Sequence, residues 1–171
     1  EAGEAPIHHP VEALPPARGE PIAMDADGRW RAALIDLVGQ KGLAWLRGDG
    51  FVVRAASTVD HLGRSFAAPR RWPIFPIGGR FTVVHADGRS YIGAENARRY
   101  DAFVSFVSAI DPARAAGLYK RNYAAFQSAF EYLGAGGQYF NDRLVAVIDH
   151  LLATPEPAGR LEVRLVEIRG A

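Results

Sequence analysis

Residues 136–157 read GGQYFNDRLVAVIDHLLATPEP. Two glycines turn the chain, a run of helix formers follows, and Pro155 and Pro157 stop it, since proline lacks an amide N–H and clashes with the turn before it. The segment predicts a helix over about Tyr139–Ala153. At about 100° per residue, Phe140, Leu144, Val147, Ile148 and Leu151 fill one broad arc, which is expected to face a core. The polar residues fall elsewhere. Asp142 and Asp149 share the opposite side, Arg143 and His150 lie at one margin, and Asn141 alone falls inside the apolar arc.

Moving outward, Gly134–Gly137 joins this helix to a long one predicted over Pro112–Leu133. Asp111 is its N-cap, Pro112 its first residue, and Ala115, Leu118, Tyr119, Phe126, Ala129, Phe130 and Leu133 its inward stripe. A further helix is expected over about Glu95–Ile110, with Ala97, Tyr100, Val104 and Val107 in register. Before it, RFTVV, the turn Ala86-Asp87-Gly88-Arg89 and SYI predict a β-hairpin over about 81–92. Pro69, Pro73 and Pro76 break residues 63–79 into a loop, whose Trp72, Ile74 and Phe75 are expected to lie across the core as a lid. Earlier still, Trp30, Ala33, Leu34, Leu37 and Val38 mark a helix starting near Asp25 and ending at Gly39. Leu43–Leu46 reads as a short helix, and another opens at Asp49-Gly50 with Phe51, Val52, Ala55, Val59 and Leu62 on one face. At the other end, LEVRLVEI over 161–168 alternates as a strand that could join the hairpin.

The expected fold class is therefore mainly α, about five to six helices in one compact domain over 24–171, with a small antiparallel β element. Residues 1–23 carry Pro6, Pro10, Pro15, Pro16 and Pro21 among Ala, Glu and Gly and read as a flexible linker. His8-His9 within it is read as part of a solvated tether in preference to a metal site. The chain opens on Glu1, so a preceding segment is expected.

Composition narrows the function. The 171 residues carry 20 basic and 19 acidic groups, a formal charge of +1, which argues against nucleic acid as a partner. With no cysteine, disulfides, thiolate metal sites and a cysteine nucleophile are excluded. No G-x-S-x-G, H-E-x-x-H or phosphate-binding glycine loop is present. Asp142 and Asp149 are separated by about 10 Å of helical rise, beyond the about 5 to 9.5 Å of glycosidase carboxylate pairs. Asp142 in the first turn and His150 in the last suit the helix dipole. His61, His85 and His150 would form a metal site only if the fold converged them; no metal and no cofactor is expected.

The runs Asn96-Ala-Arg-Arg-Tyr-Asp, Leu118-Tyr119, Phe126-Gln127, Tyr139-Phe140-Asn141-Asp142-Arg143-Leu144 and Ile148 to Pro155, with Ser57-Thr58-Val59-Asp60 before them, resemble a bacterial family known as domain of unknown function 3014. The resemblance spans about Pro21–Val166. It implies an envelope protein of Gram-negative bacteria, with one membrane-spanning helix before a Pro/Ala-rich linker, and brings no activity or catalytic residues with it. Members often continue past the last strand, so the C-terminus at Ala171 is expected to be truncated or a shorter variant.

The expected function is thus a non-catalytic periplasmic binding or scaffolding domain, tethered to the inner membrane through an N-terminal anchor and meeting an envelope protein or glycan. Candidate binding residues are Arg71, Trp72, Tyr139, Asn141, Asp142, Arg143 and His150. The alternative is a hydrolase of envelope material, with Asp142 or Asp60 as acid/base and His150 or His61 as its partner.

Overall fold

Asp111 and Pro112 start a helix as their chemistry requires. The Asp111 carboxylate accepts from the amides of Ala113 and Arg114 at 2.8 and 3.3 Å, and Pro112 takes the first position, where no amide is needed. In the computed structural model, which describes residues 6–12, 27–64, 68–164 and 166, this helix is one of seven. They are α1 Asp27–Gly42, α2 Phe51–Leu62, α3 Glu95–Arg98, α4 Asp101–Ser108, α5 Pro112–Arg121, α6 Tyr123–Tyr132 and α7 Phe140–Leu152. Strands β1 Val83–Ala86 and β2 Arg89–Ile92 form one antiparallel sheet, and 3₁₀ turns lie at Leu43–Trp45 and Pro69–Arg71. The domain is mainly helical with a small β element, as the periodicity predicts.

The core forms where α2, α6 and α7 meet. Ala56 and Ala129 are fully buried there, small enough to let α2 and α6 approach closely. Phe126 stacks on Phe140 at 5.8 Å, Phe130 packs against Phe140 at 5.4 Å, and Trp30 from α1 meets Phe126 edge-on at 5.7 Å. Each such aromatic side chain contributes about 1.5–3 kcal/mol through burial alone. A second aromatic cluster joins Trp45 to Phe103 and Phe106 of α4. The end of α1 fits against it only because residue 42 is glycine: a Cβ there would lie 2.8 Å from the Phe106 ring and 2.7 Å from Val38 Cβ.

Two predicted helices are broken. The one expected over Pro112–Leu133 splits at Asn122, where φ is −111° and ψ 16°. The Asn122 side chain donates to the Leu118 carbonyl at 2.9 Å, while its own amide is shared between the carbonyls of Leu118 and Tyr119; a side chain competing for the i−4 carbonyl loosens the ladder. The one expected over 95–110 splits at Tyr100, whose amide makes the tighter i→i−3 bond to Ala97. Its inward stripe also differs. Phe103 and Phe106 pack on Trp45, leaving Tyr100, Val104 and Val107 at 46, 57 and 47% exposure, because the rings offer far more area to bury.

In α7, Phe140 and Val147 are buried as expected, but every residue from Ile148 to Arg160 is exposed. Only the first part of the helix reaches the core, so the expected inward placement of Ile148 and Leu151 is corrected.

The hairpin turns through Asp87 and Gly88, both at positive φ (52° and 71°), the signature of a type I′ turn that matches strand twist. Buried Asn96 ties it to α3. Its side chain donates to the carbonyls of Thr82 and Gly93 and accepts from the Thr82 amide. Tail residues 161–163 lie antiparallel to β2, with Ile92 donating to Leu161 at 2.9 Å and Val163 to Ser90 at 2.8 Å; Leu165 and 167–171 lie outside the described residues. The proline-broken loop is held by main chain: Arg47 donates to Pro73 and Phe75 to Trp45 at 2.8 and 2.9 Å.

Candidate functional site

The first amides of a helix have no partner within it, and Tyr139, the N-cap of α7, supplies no side-chain cap. Gln127 from α6 does. Its Oε1 accepts from the Phe140 amide at 2.8 Å and from the Tyr123 hydroxyl at 3.0 Å. Its Nε2 donates to the Gln138 carbonyl at 2.9 Å and to Glu131 at 2.7 Å. All of its hydrogen-bonding capacity is used, and the start of α7 is locked over α6.

That lock positions three side chains in a row. Tyr119 of α5, half-buried, donates its hydroxyl to Asn141 Oδ1 at 2.9 Å, which explains an asparagine inside an apolar arc. With its oxygen held, Asn141 turns its Nδ2 outward, where it donates to the His9 carbonyl at 2.9 Å. Asp142, in the first turn where the helix dipole favours an anion, accepts from the amides of His8 at 2.9 Å and His9 at 2.6 Å. The Tyr139 hydroxyl accepts from the Val11 amide at 2.9 Å, and the Val11 side chain packs against the core. Four hydrogen bonds thus hold the main chain of residues 8–11. Pro10, between them, has no amide that needs an acceptor. The His8 and His9 side chains are exposed, and the backbone bends there so that two successive amides reach one carboxylate.

Residues 6–12 belong to the segment read as a free linker; in the structure they are docked on the domain.

The electrostatics keep this arrangement in one protonation state. Burial pushes the Tyr119 phenol well above the usual range. Burial does the same to Tyr123, helped by its contact with the Tyr139 hydroxyl. Both remain neutral donors. Partial desolvation works against the Asp142 carboxylate, but the amides and imidazoles of His8 and His9 outweigh it and hold it below the ordinary 3.8. A depressed carboxylate contributes its interaction above the ordinary value and loses it as pH falls through the lowered one. Docking of residues 8–11 should therefore persist from neutral pH to below the ordinary 3.8 and weaken as pH falls through the lowered value, read as loss of the distinct amide shifts of His8, His9 and Val11 in a pH titration.

The other candidate residues stand apart. Arg143 turns toward α2, donating to the Asp60 carbonyl at 2.7 Å, with its Nε 4.0 Å from Asp60 Oδ1. The Asp60 carboxylate accepts from Arg64 through both oxygens, at 2.8 and 2.7 Å. His61 Nδ1 lies 3.6 Å from Asp60 but only 2.7 Å from the Ser57 carbonyl, its closer partner. His150 is exposed, about 12 Å of helical rise beyond Asp142. Arg71 is exposed and lines a groove of about 330 Å³ with Asp49, Val53, Arg54, Ser57 and Leu133. Trp72 is half-buried, its indole Nε1 enclosed without a hydrogen-bond partner. Among the described residues, no three His, Asp or Glu side chains stand where they could hold a metal ion, and no helix is long and apolar enough to cross a membrane.

Of the seven candidates, the structure brings together Tyr139, Asn141 and Asp142, and adds Tyr119 and Gln127. The signal for those two lay in their polar atoms. A tyrosine in an otherwise hydrocarbon ladder, and a glutamine beside Phe126, each require a partner when enclosed.

These features define a class: a small, mainly helical domain with a docking surface at the N-terminus of one helix that holds a stretch of main chain. The family model described as a protein of unknown function, DUF3014, matches residues 51–169, and the chain belongs to that family. No curated protein and no solved structure matches it. All five residues of that surface lie inside the matched span, and the docked segment lies outside it.

Proposed function

We propose that this domain is a non-catalytic binding module of the cell envelope, held at the inner membrane by an anchor preceding its linker and working in the periplasm, where it grips a short bent segment of a partner protein. One observation carries the reading: Tyr139, Asn141 and Asp142 present an acceptor, a donor and a two-oxygen acceptor in fixed order, and they engage main chain. Groups that read backbone amides and carbonyls give affinity for a peptide largely independent of its side chains, and an adjoining apolar contact gives selectivity. The polar groups of the surface are used in holding: Asp142 is engaged by amides and Asn141 by a hydroxyl and a carbonyl, with no imidazole presented to a reacting atom. The resemblance to membrane-anchored envelope proteins supports the location.

Photocrosslinking tests this. A benzophenone amino acid in place of exposed Gln138, at the rim of the docking surface, is introduced into the anchored protein in living cells. The reading expects an adduct with an envelope protein, mapped by mass spectrometry to a proline-containing stretch. Adducts confined to cytoplasmic proteins or lipid would overturn it.

A further inference from the structure

A binding site that is already filled by its own chain raises the question of what the filling does. We infer that residues 6–12 (PIHHPVE) are an intramolecular ligand of the docking surface, a strap that occupies it in the resting chain and has to leave before a second segment of the same chemistry binds in trans. The inference rests on the reading of that surface as a peptide-binding site.

The contacts specify that chemistry. Asp142 needs two successive amides, met by His8 and His9. Asn141 needs the carbonyl of the second, and Tyr139 needs an amide two residues further on, met by Val11. The intervening position donates no amide to the surface, which suits proline, whose fixed φ also lowers the entropy lost on docking. The side chain after the proline packs on the core, which selects a compact aliphatic group. The two positions before the proline point their side chains to solvent and accept any residue. The ligand class is therefore a peptide of the pattern any-any-Pro-aliphatic that bends at the two positions before the proline.

The strap and the surface differ in standing. The surface residues fall within the family match at 51–169, and the strap precedes it. A segment of the same chain meets its site intramolecularly, at an effective concentration that a separate peptide has to match. A competing peptide binds with its intrinsic affinity reduced by the fraction of open surface, so a strap docked nine-tenths of the time or more weakens binding in trans by about tenfold or more.

The test uses the full chain and a fluorescein-labelled PIHHPVE peptide, followed by anisotropy. Val11→Asp releases the strap by placing a charge against the apolar contact. His9→Pro releases it by a different route, removing one amide from Asp142 and adding no charge. Thermal melting of both variants confirms that the domain stays folded. The inference expects both to bind the peptide at least about tenfold more tightly than the wild-type chain, and expects none of the three to bind a peptide with aspartate at the valine position. Equal affinity for wild type and both variants overturns the strap while leaving the surface a peptide site. No binding by any of the three, with the domain folded, overturns the peptide-site reading itself and the strap with it.

Discussion

Phe140→Ala is expected to lower the unfolding free energy by about 3–5 kcal/mol. Phe140 is 1% exposed and opens α7. Its ring touches three others, stacked on Phe126 and tilted against Phe130 and Tyr119. Removing it deletes the apolar area and leaves a cavity among side chains fixed by helices on every side, so the site cannot collapse to fill it. For a domain of this size, whose total stability is on the order of 5–15 kcal/mol, the melting temperature should fall by roughly 10 °C or more. Differential scanning calorimetry reads this directly, and a fall below about 1 kcal/mol would mean that α7 is not seated as described. Leu152→Ala is the internal control: at 79% exposure it should cost less than about 0.5 kcal/mol.

Gln127→Leu should cost about 2–4 kcal/mol although it conserves volume and adds apolar area. The substitution strips the acceptor from the Phe140 amide and the Tyr123 hydroxyl, and the donor from the Gln138 carbonyl and Glu131. Phe140 and Tyr123 are both buried, and a hydrogen-bonding group left enclosed without its partner costs about 1–3 kcal/mol. Urea denaturation should show a lower midpoint with an unchanged slope, the mark of lost stability in an otherwise similar fold. Gln127→Glu separates the cap from the rest. It retains an acceptor for the first amide of α7, where a negative charge is favoured, while losing both donor contacts and facing Glu131. It should therefore fall between wild type and Gln127→Leu. If Gln127→Leu is neutral, Gln127 does not hold the start of α7, and the fixed geometry of Tyr139, Asn141 and Asp142 loses its cause.

Much of this fold was legible in the sequence because its signals are local. Proline at 112 after Asp111, Asp-Gly at 87–88 and the prolines after α7 each act through the backbone of their own neighbourhood, and each element begins or ends where they say. What was misread depended on choices between competing partners. Asn122 sits where a helix could continue, and it breaks because its side chain takes the Leu118 carbonyl, a contest that periodicity does not record. In α4 two stripes were available, and Phe103 and Phe106 won over Val104 and Val107 because Trp45 lay within reach. The α7 arc was read correctly as apolar along its whole length, but how far a helix projects beyond its neighbours is decided by those neighbours.

The site was half legible for the same reason. Asn141 stood out as polar on an apolar face, and that conflict marked a position that needed hydrogen-bond partners. Its explanation needed Tyr119, 22 residues earlier in sequence, and a segment 132 residues away. Asp142 looked like a dipole-satisfying carboxylate, which it is, and the structure adds that the same placement receives two amides. For residues 6–12 the linker reading followed from composition, which counts how much a segment can bury and cannot anticipate a single valine and three amides meeting a prepared surface; residues 1–5 and 13–23 lie outside the described residues.

Amide hydrogen exchange on the intact chain, resolved to single residues by NMR, tests most directly whether the docking surface grips main chain. At neutral pH the amides of His8, His9 and Val11 should be protected together. Tyr139→Phe should release Val11 more than His8 or His9, and Asp142→Ala should release all three. Exchange of these three amides at the rate of an unstructured peptide in the wild-type chain would contradict the account.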